Sequence, residues 1–187
     1  MNIQKTAVPG VLLIEPEIYK DDRGLFLETF QAERYVSAGI GGPFVQDNMS
    51  CSRAGVLRGL HLQNPHGQAK LVFAAEGEIF DVAVDVRVDS PHFGKWVGTT
   101  LSGENGRQIY IPEGFAHGFC VLSPTARVAY KCTIPYDRAS ELSVFWNDPD
   151  IGIAWPIKSP HLSAKDATAP RLRDIGRDRL PRFDKSR

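Results

Sequence analysis

The 187-residue sequence predicts an all-β chain, an antiparallel sandwich or barrel with short peripheral helices. Three observations predict it. Short alternating or β-branched runs recur at close spacing, Gly and Pro punctuate the gaps between them, and only two short stretches read as helix.

Taken in order, the first strand is 11–14, a Val-Leu-Leu-Ile run released by Pro9-Gly10, and the second is 25–30, which follows Gly24. Residues 31–38 form a short helix closed by Gly39. Further strands follow at 57–62, 70–74, 79–88, 96–101, 108–111, 115–121, 127–133 and 142–146. Ser90-Pro91, residues 103–106, Pro112 to Gly114 and Ser123-Pro124 supply turn chemistry between them. A terminal helix is expected over 172–180, rich in charges of both signs.

Length and composition set the outer limits. At 187 residues one domain spanning the chain is expected, with the tail from about 171 to 187 peripheral. Folding such a chain buries roughly 70% of its unfolded surface, enough for a core without disulfides or structural metal. Lys plus Arg number 22 and Asp plus Glu 22. This zero net charge removes the footprint of a nucleic-acid binder. The early apolar stretch 7–14 is broken by Pro9 and Gly10, so neither a signal peptide nor a membrane span is expected. Cys51, Cys120 and Cys132 are odd in number and lack C-x-x-C spacing. They read as three reduced thiols packed as small hydrophobes in a cytoplasmic protein.

The run 79–88 alternates strictly. Phe80, Val82, Val84, Val86 and Val88 fall on one face, and Asp81, Ala83, Asp85 and Arg87 on the other. A charged face of this kind is normally solvated, but inside a barrel it lines the cavity. Both readings stay open on sequence alone.

The histidines are more specific. Gly55 precedes His61 with five residues between, and Gly106 likewise precedes Pro112-Glu113-Gly114-Phe115-Ala116-His117. These spacings resemble the two motifs of the cupin β-barrel, a double-stranded β-helix or jelly roll. Metal-binding cupins place a second histidine two residues after the first, where this chain has Gln63. With His61 and His117 as a pair and no evident third ligand, a metal site lacks its coordination number, and none is expected.

Longer stretches carry a closer resemblance. Residues 22–30 (Asp-Arg-Gly-Leu-Phe-Leu-Glu-Thr-Phe), 44–48, 56–61 (Val-Leu-Arg-Gly-Leu-His), 68–72, 111–119, Tyr130-Lys131, 145–148 and 162–166 (Leu-Ser-Ala-Lys-Asp) run in one order over most of the chain. Together they resemble the dTDP-4-dehydrorhamnose 3,5-epimerases. The resemblance implies inversion at two carbons flanking a ketone, in dTDP-4-dehydro-6-deoxyglucose, giving dTDP-4-dehydro-β-L-rhamnose. No cofactor is implied, because electrons left by a departing proton delocalise onto the ketone oxygen.

Such chemistry needs a base, a stabiliser for the enolate oxygen and an acid on the opposite ring face. An imidazole titrates near pH 6.5 when unperturbed, so His61 suits the base. The resemblance supplies the other roles: Asp166 holds His61, Lys70 stands near the C4 oxygen, and Tyr130 donates a proton from the other face. His117 matches a binding residue, oriented by Asp81. Arg23 and Arg58 match phosphate contacts, for which guanidinium forks are well shaped, and Lys165 adds a third cation. Gln46, Asn48, Glu28 and Glu141 match polar binding positions, and Phe26 and Tyr136 are candidates for sandwiching the base. In the family the segment from Arg23 to Glu28 crosses to the neighbouring subunit of a homodimer, which completes the site.

The residues also pose a geometric problem. Strict alternation puts Arg58 and His61, three positions apart, on opposite faces of a strand. Gly59 between them permits a bulge, and an irregularity is predicted there. Three departures from the family pattern bear on the sugar: Met49 for a histidine, Leu62 for an aromatic, and Ile134-Pro135 ahead of Tyr136. The nearest alternative is a mono-epimerase of an antibiotic-sugar pathway. A non-catalytic cupin that binds nucleotide sugars does not need an acid and base pair, and a metal-dependent oxygenase needs the missing histidine.

Overall fold

The computed structural model describes residues 1–184; residues 185–187 of the expected tail lie outside the described residues. Thirteen strands form: β1 (Asn2–Lys5), β2 (Leu12–Glu15), β3 (Ile18–Asp21), β4 (Gly24–Leu27), β5 (Gln46–Arg53), β6 (Leu57–Gln63), β7 (Lys70–Glu76), β8 (Glu78–Asp85), β9 (Trp96–Ser102), β10 (Gln108–Ile111), β11 (Phe115–Val121), β12 (Thr125–Cys132) and β13 (Glu141–Ser143). Two short helices, α1 (Ala32–Ser37) and α2 (Ala164–Ala167), complete the regular structure with one 3-10 turn, Leu172–Asp174.

From β5 onward the chain passes repeatedly between two antiparallel sheets, the jelly-roll pattern expected of a cupin. One sheet has the order β1-β2-β10-β7-β12-β5, the other β13-β6-β11-β8-β9, and β3-β4 stands apart as a hairpin. Alternation explains the core. Val72, Ala74, Ile109 and Val128 of the first sheet meet Ile79, Ala83, Leu101 and Phe119 of the second, all buried. Burying a side chain of this size contributes about 1.5–3 kcal/mol.

Where sequence and structure part, the cause is local. The polar segment β5 is a strand that hydropathy cannot reveal, because its inward residues Gln46, Asn48, Ser50 and Ser52 are themselves polar. Strands β1 and β3 were likewise not expected. The predicted strand 25–30 shortens to β4, and its partner is β3 rather than the barrel. Helix 31–38 forms as α1, capped by the Gln31 side chain, with Gly39 at φ +82° closing it. The expected helix 172–180 does not form beyond its first turn. Ile175 is extended, and Leu172, Ile175 and Leu180 instead bury themselves against Val84, Val86 and Val88.

The charged face of β8 is not solvated. Asp81 and Asp85 are both fully buried, so the usual reading of an alternating charged face fails inside this barrel. Cys120 and Cys132 are buried thiols as expected, but Cys51 is exposed on the outer face of β5.

The irregularity at Gly59 is present. On β11 the step from His117 to Phe119 spans two residues, while their partners on β6, His61 and Arg58, are three apart. One extra residue is thus inserted in β6. Gly59 has φ +133°, and a Cβ there would lie 2.5 Å from the Gly118 Cα. Only glycine satisfies both constraints.

Candidate active site

Because the bulge resets the alternation, Arg58 and His61 both face a cavity of about 430 Å³ between the sheets. Tyr130, Lys70 and Ser50 line it from the six-stranded sheet. Arg58, His61, His117 and Phe119 line it from the other, and the segment carrying His161, Ser163, Lys165 and Asp166 closes one side. That segment is anchored beside His61's strand: His161 N donates to Gly55 O at 2.7 Å, and Leu57 N donates to His161 O at 3.0 Å.

His61 and Asp166 are 105 residues apart in sequence and bonded in space, Nε2 to Oδ1 at 2.6 Å. The carboxylate is 4% exposed and the imidazole 29%, so the pair has a dry side and a side open to the cavity. With Nε2 engaged by the carboxylate, Nδ1 is the nitrogen free for chemistry. Burial pushes the Asp166 carboxyl up, but the His61 bond, its charge and the Ser163 hydroxyl outweigh that and hold it below the usual carboxylate value. Ser163 Oγ accepts from Asp166 N at 3.1 Å as the cap of α2, which fixes the aspartate's backbone.

His117 is the direct cross-strand partner of His61, and its own Nε2 meets Asp81 Oδ2 at 2.9 Å. The expected contact between Asp81 and His117 is present. Among the described residues no group of three or more His, Cys, Asp and Glu side chains stands close enough to hold a metal ion.

Lys70 opens β7 opposite Cys132 and lines the cavity. Burial lowers its pKa, opposed by the charges of Asp81 and Glu141. Burial also raises the Tyr130 phenol, so this group stays protonated well above neutrality. His61 and the Tyr130 phenol thus line the cavity from opposite sheets.

The expected nucleotide contacts divide into three groups. Arg58 reaches the cavity with Nε donating to Ser52 Oγ at 3.1 Å, which leaves its terminal nitrogens for a ligand. Lys165 pairs with Glu141 at 2.6 Å, Tyr136 donates its hydroxyl to the same carboxylate at 3.1 Å, and Tyr136 N donates to Gln46 Oε1 at 2.8 Å. Gln46 donates to Asn48 at 2.9 Å, and Asn48 reaches Cys132 Sγ at 3.6 Å. Lysine attraction and the Tyr136 bond keep the Glu141 carboxyl low against the opposing effect of burial. Arg23, Phe26 and Glu28 are not brought to the cavity within one chain. Arg23 is bound to Asp21 on the β3-β4 hairpin, Phe26 is 71% exposed, and Glu28 bonds Arg34.

The three departures from the family pattern lie away from the reacting wall. Met49 is 64% exposed on the outward side of β5, and Leu62 packs into the core on the side of β6 opposite His61. Ile134 offers its carbonyl to Gln68 at 2.7 Å. Sequence reasoning missed Ser50, Phe119, Ser163 and His161 as cavity residues. Ser50 and His161 stand just beyond matched stretches, the one signal that pointed near them.

Known proteins share this fold and much of this sequence. A family model described as dTDP-4-dehydrorhamnose 3,5-epimerase matches residues 5–174. The dTDP-4-dehydrorhamnose 3,5-epimerase of Salmonella typhimurium is 53% identical over 175 residues, 92% of this chain and 96% of that protein. A dTDP-4-dehydrorhamnose 3-epimerase of Streptomyces niveus is 42% identical over 182 residues, 94% of this chain and 87% of that one. Among solved structures, the 3,5-epimerase of Legionella pneumophila in complex with dTDP-4-keto-L-rhamnose superposes with a TM-score of 0.95 at 54% identity, covering 98% of each chain. The cupin-type barrel, the paired histidines and similarity of this extent lead to one conclusion: the chain belongs to the dTDP-4-dehydrorhamnose 3,5-epimerase family.

Proposed function

We propose that this chain epimerises dTDP-4-dehydro-6-deoxy-D-glucose at C3 and C5 to dTDP-4-dehydro-β-L-rhamnose, without metal or cofactor. It works as a single domain and as a cytoplasmic homodimer. The observation that carries the reading is the His61–Asp166 pair facing Tyr130 across one cavity that also holds Lys70.

The steps follow from the groups. Nδ1 of His61 takes the proton beside the C4 ketone, and Asp166 stabilises the imidazolium through Nε2. The electron pair moves onto the C4 oxygen, where the Lys70 ammonium meets the developing charge. Tyr130 delivers its proton to the carbon from the opposite face, which inverts the centre. His61 then loses and Tyr130 regains a proton by exchange with water before the second carbon reacts. Arg58 and Lys165 hold the diphosphate, with His117, Gln46, Asn48, Glu141 and Tyr136 as further binding groups.

Arg23, Phe26 and Glu28 serve the neighbouring subunit's site. The exposure of Arg23 and Phe26 on a hairpin outside the barrel supports that role. A reducing location is supported by the three free cysteines. A single-centre epimerisation is the second reading, favoured by the similarity to the 3-epimerase of Streptomyces niveus.

The test is incubation with dTDP-4-dehydro-6-deoxyglucose in deuterated water, with deuterium read at each carbon by NMR. Label at both C3 and C5 is expected, and one label supports the single-centre reading. His61→Ala should abolish exchange while nucleotide binding persists. A wild-type protein that exchanges neither carbon is no epimerase.

A further inference from the structure

Two buried side-chain atoms have no hydrogen-bond partner among the described residues, Ser50 Oγ and Asp81 Oδ1. Native folds leave few such groups, and each calls for a reason. Asp81 at least uses its other oxygen on His117. Ser50 lines the cavity, and its hydroxyl has no partner among the described residues.

Its neighbours on the inner face of β5 are already committed. Asn48 is bonded to Gln46 and Cys132, and Ser52 accepts from Arg58. Asn48 is also the cross-strand partner of Tyr130, while Ser50 is paired with Val128. The hydroxyl therefore stands on the wall between the Tyr130 phenol and the Arg58 guanidinium. The group of a nucleotide sugar that lies between its reacting ring and its phosphate clamp is the sugar-phosphate junction.

We propose that Ser50 is a substrate-contacting residue whose hydroxyl donates to a phosphate oxygen at that junction. The inference rests on the epimerase reading above. A hydroxyl on the cavity wall that no protein group engages gains its partner from the ligand, so its benefit falls on the complex and not on the fold. This predicts weaker binding without a loss of stability, which a merely structural serine does not produce.

The experiment compares wild type and Ser50→Ala by calorimetric titration with dTDP and with thymidine, and by thermal melting without ligand. For dTDP the alanine variant should bind at least about tenfold more weakly, the usual scale for a hydrogen bond to a charged group. Thymidine, which lacks the phosphates, should bind both proteins equally. The ligand-free variant should melt at the same temperature as wild type or higher. Equal dTDP affinity, an equal loss for thymidine, or a lower melting temperature each overturns the inference. A wild-type protein that does not bind dTDP defeats the epimerase reading itself, whereas wild-type binding with an indistinguishable alanine variant defeats this inference alone.

Discussion

Asp81 and Asp85 lie four residues apart on the same face of β8 and are equally buried, yet their surroundings are opposite. Asp85 is fully engaged. It accepts from Arg87 Nε at 2.9 Å and Nη2 at 2.7 Å, from Arg87 N at 3.0 Å and from Ser90 Oγ at 2.7 Å. The Arg87 guanidinium is itself stacked between the rings of Phe115, 4.5 Å away, and Phe183, 4.9 Å away. The C-terminal segment completes this end, with Val88 N donating to Pro181 O and Phe183 N to Val88 O. Asp81 uses one oxygen on His117, while its other oxygen has no hydrogen-bond partner among the described residues. One barrel therefore has a closed end, where polar groups satisfy one another, and an open end, where a cavity lies between the sheets. The contrast separates charges that hold the fold from those proposed to do chemistry.

The largest effect should come from breaking the closed end. Asp85→Ala leaves a guanidinium that is only 18% exposed between two rings with no carboxylate. Removing one partner of such a buried pair typically costs about 3–5 kcal/mol. Denaturant unfolding should show that loss, and a change under about 1 kcal/mol would mean that stacking alone retains Arg87.

At the open end the same kind of substitution should behave differently. Lys70→Met removes a cation whose pKa burial already lowers, so unfolding stability should stay level or rise. Turnover should instead fall about 10²–10³-fold, some 2.7–4 kcal/mol of lost transition-state stabilisation. A variant that loses stability as heavily as Asp85→Ala would erase the distinction between the two ends. One that keeps full turnover would remove Lys70 from the mechanism.

The same contrast explains what the sequence reveals. Strands packed on apolar neighbours, such as β11 and β12, are legible because hydropathy records their burial. The inward face of β5 is polar because it faces the cavity, so the functional wall is the one that hydropathy hides. The Gly59 bulge is legible from the conflict between alternation and the motif that needs both Arg58 and His61. Asp166 is legible through family resemblance alone, since no local pattern tells that α2 folds back across 105 residues onto β6. Ser50 is legible only as a neighbour of a matched stretch, because a serine in a polar stretch acquires meaning only once its hydroxyl is seen without a partner among the described residues.

The smallest effect lies in acid, where the two ends should act alike and so sharpen the comparison. Asp85 and Asp166 are both buried, which raises a carboxyl's pKa. In both, hydrogen bonds from Arg87 and Ser90, or from His61 and Ser163, more than offset this, and each folded-state value is lowered. A carboxyl with a depressed folded value stabilises the protein above its unfolded pKa, near 3.9, and loses that contribution as pH falls through the folded value. The window is therefore below about pH 4. Asp166→Asn removes one such contribution without emptying the site or leaving a buried cation at the closed end. Denaturant unfolding at pH 5 and pH 3 should show a smaller loss of stability between the two for Asp166→Asn than for wild type. An equal loss would mean that His61 does not hold this carboxylate in its charged form, and the dyad on which the base depends would fail with it.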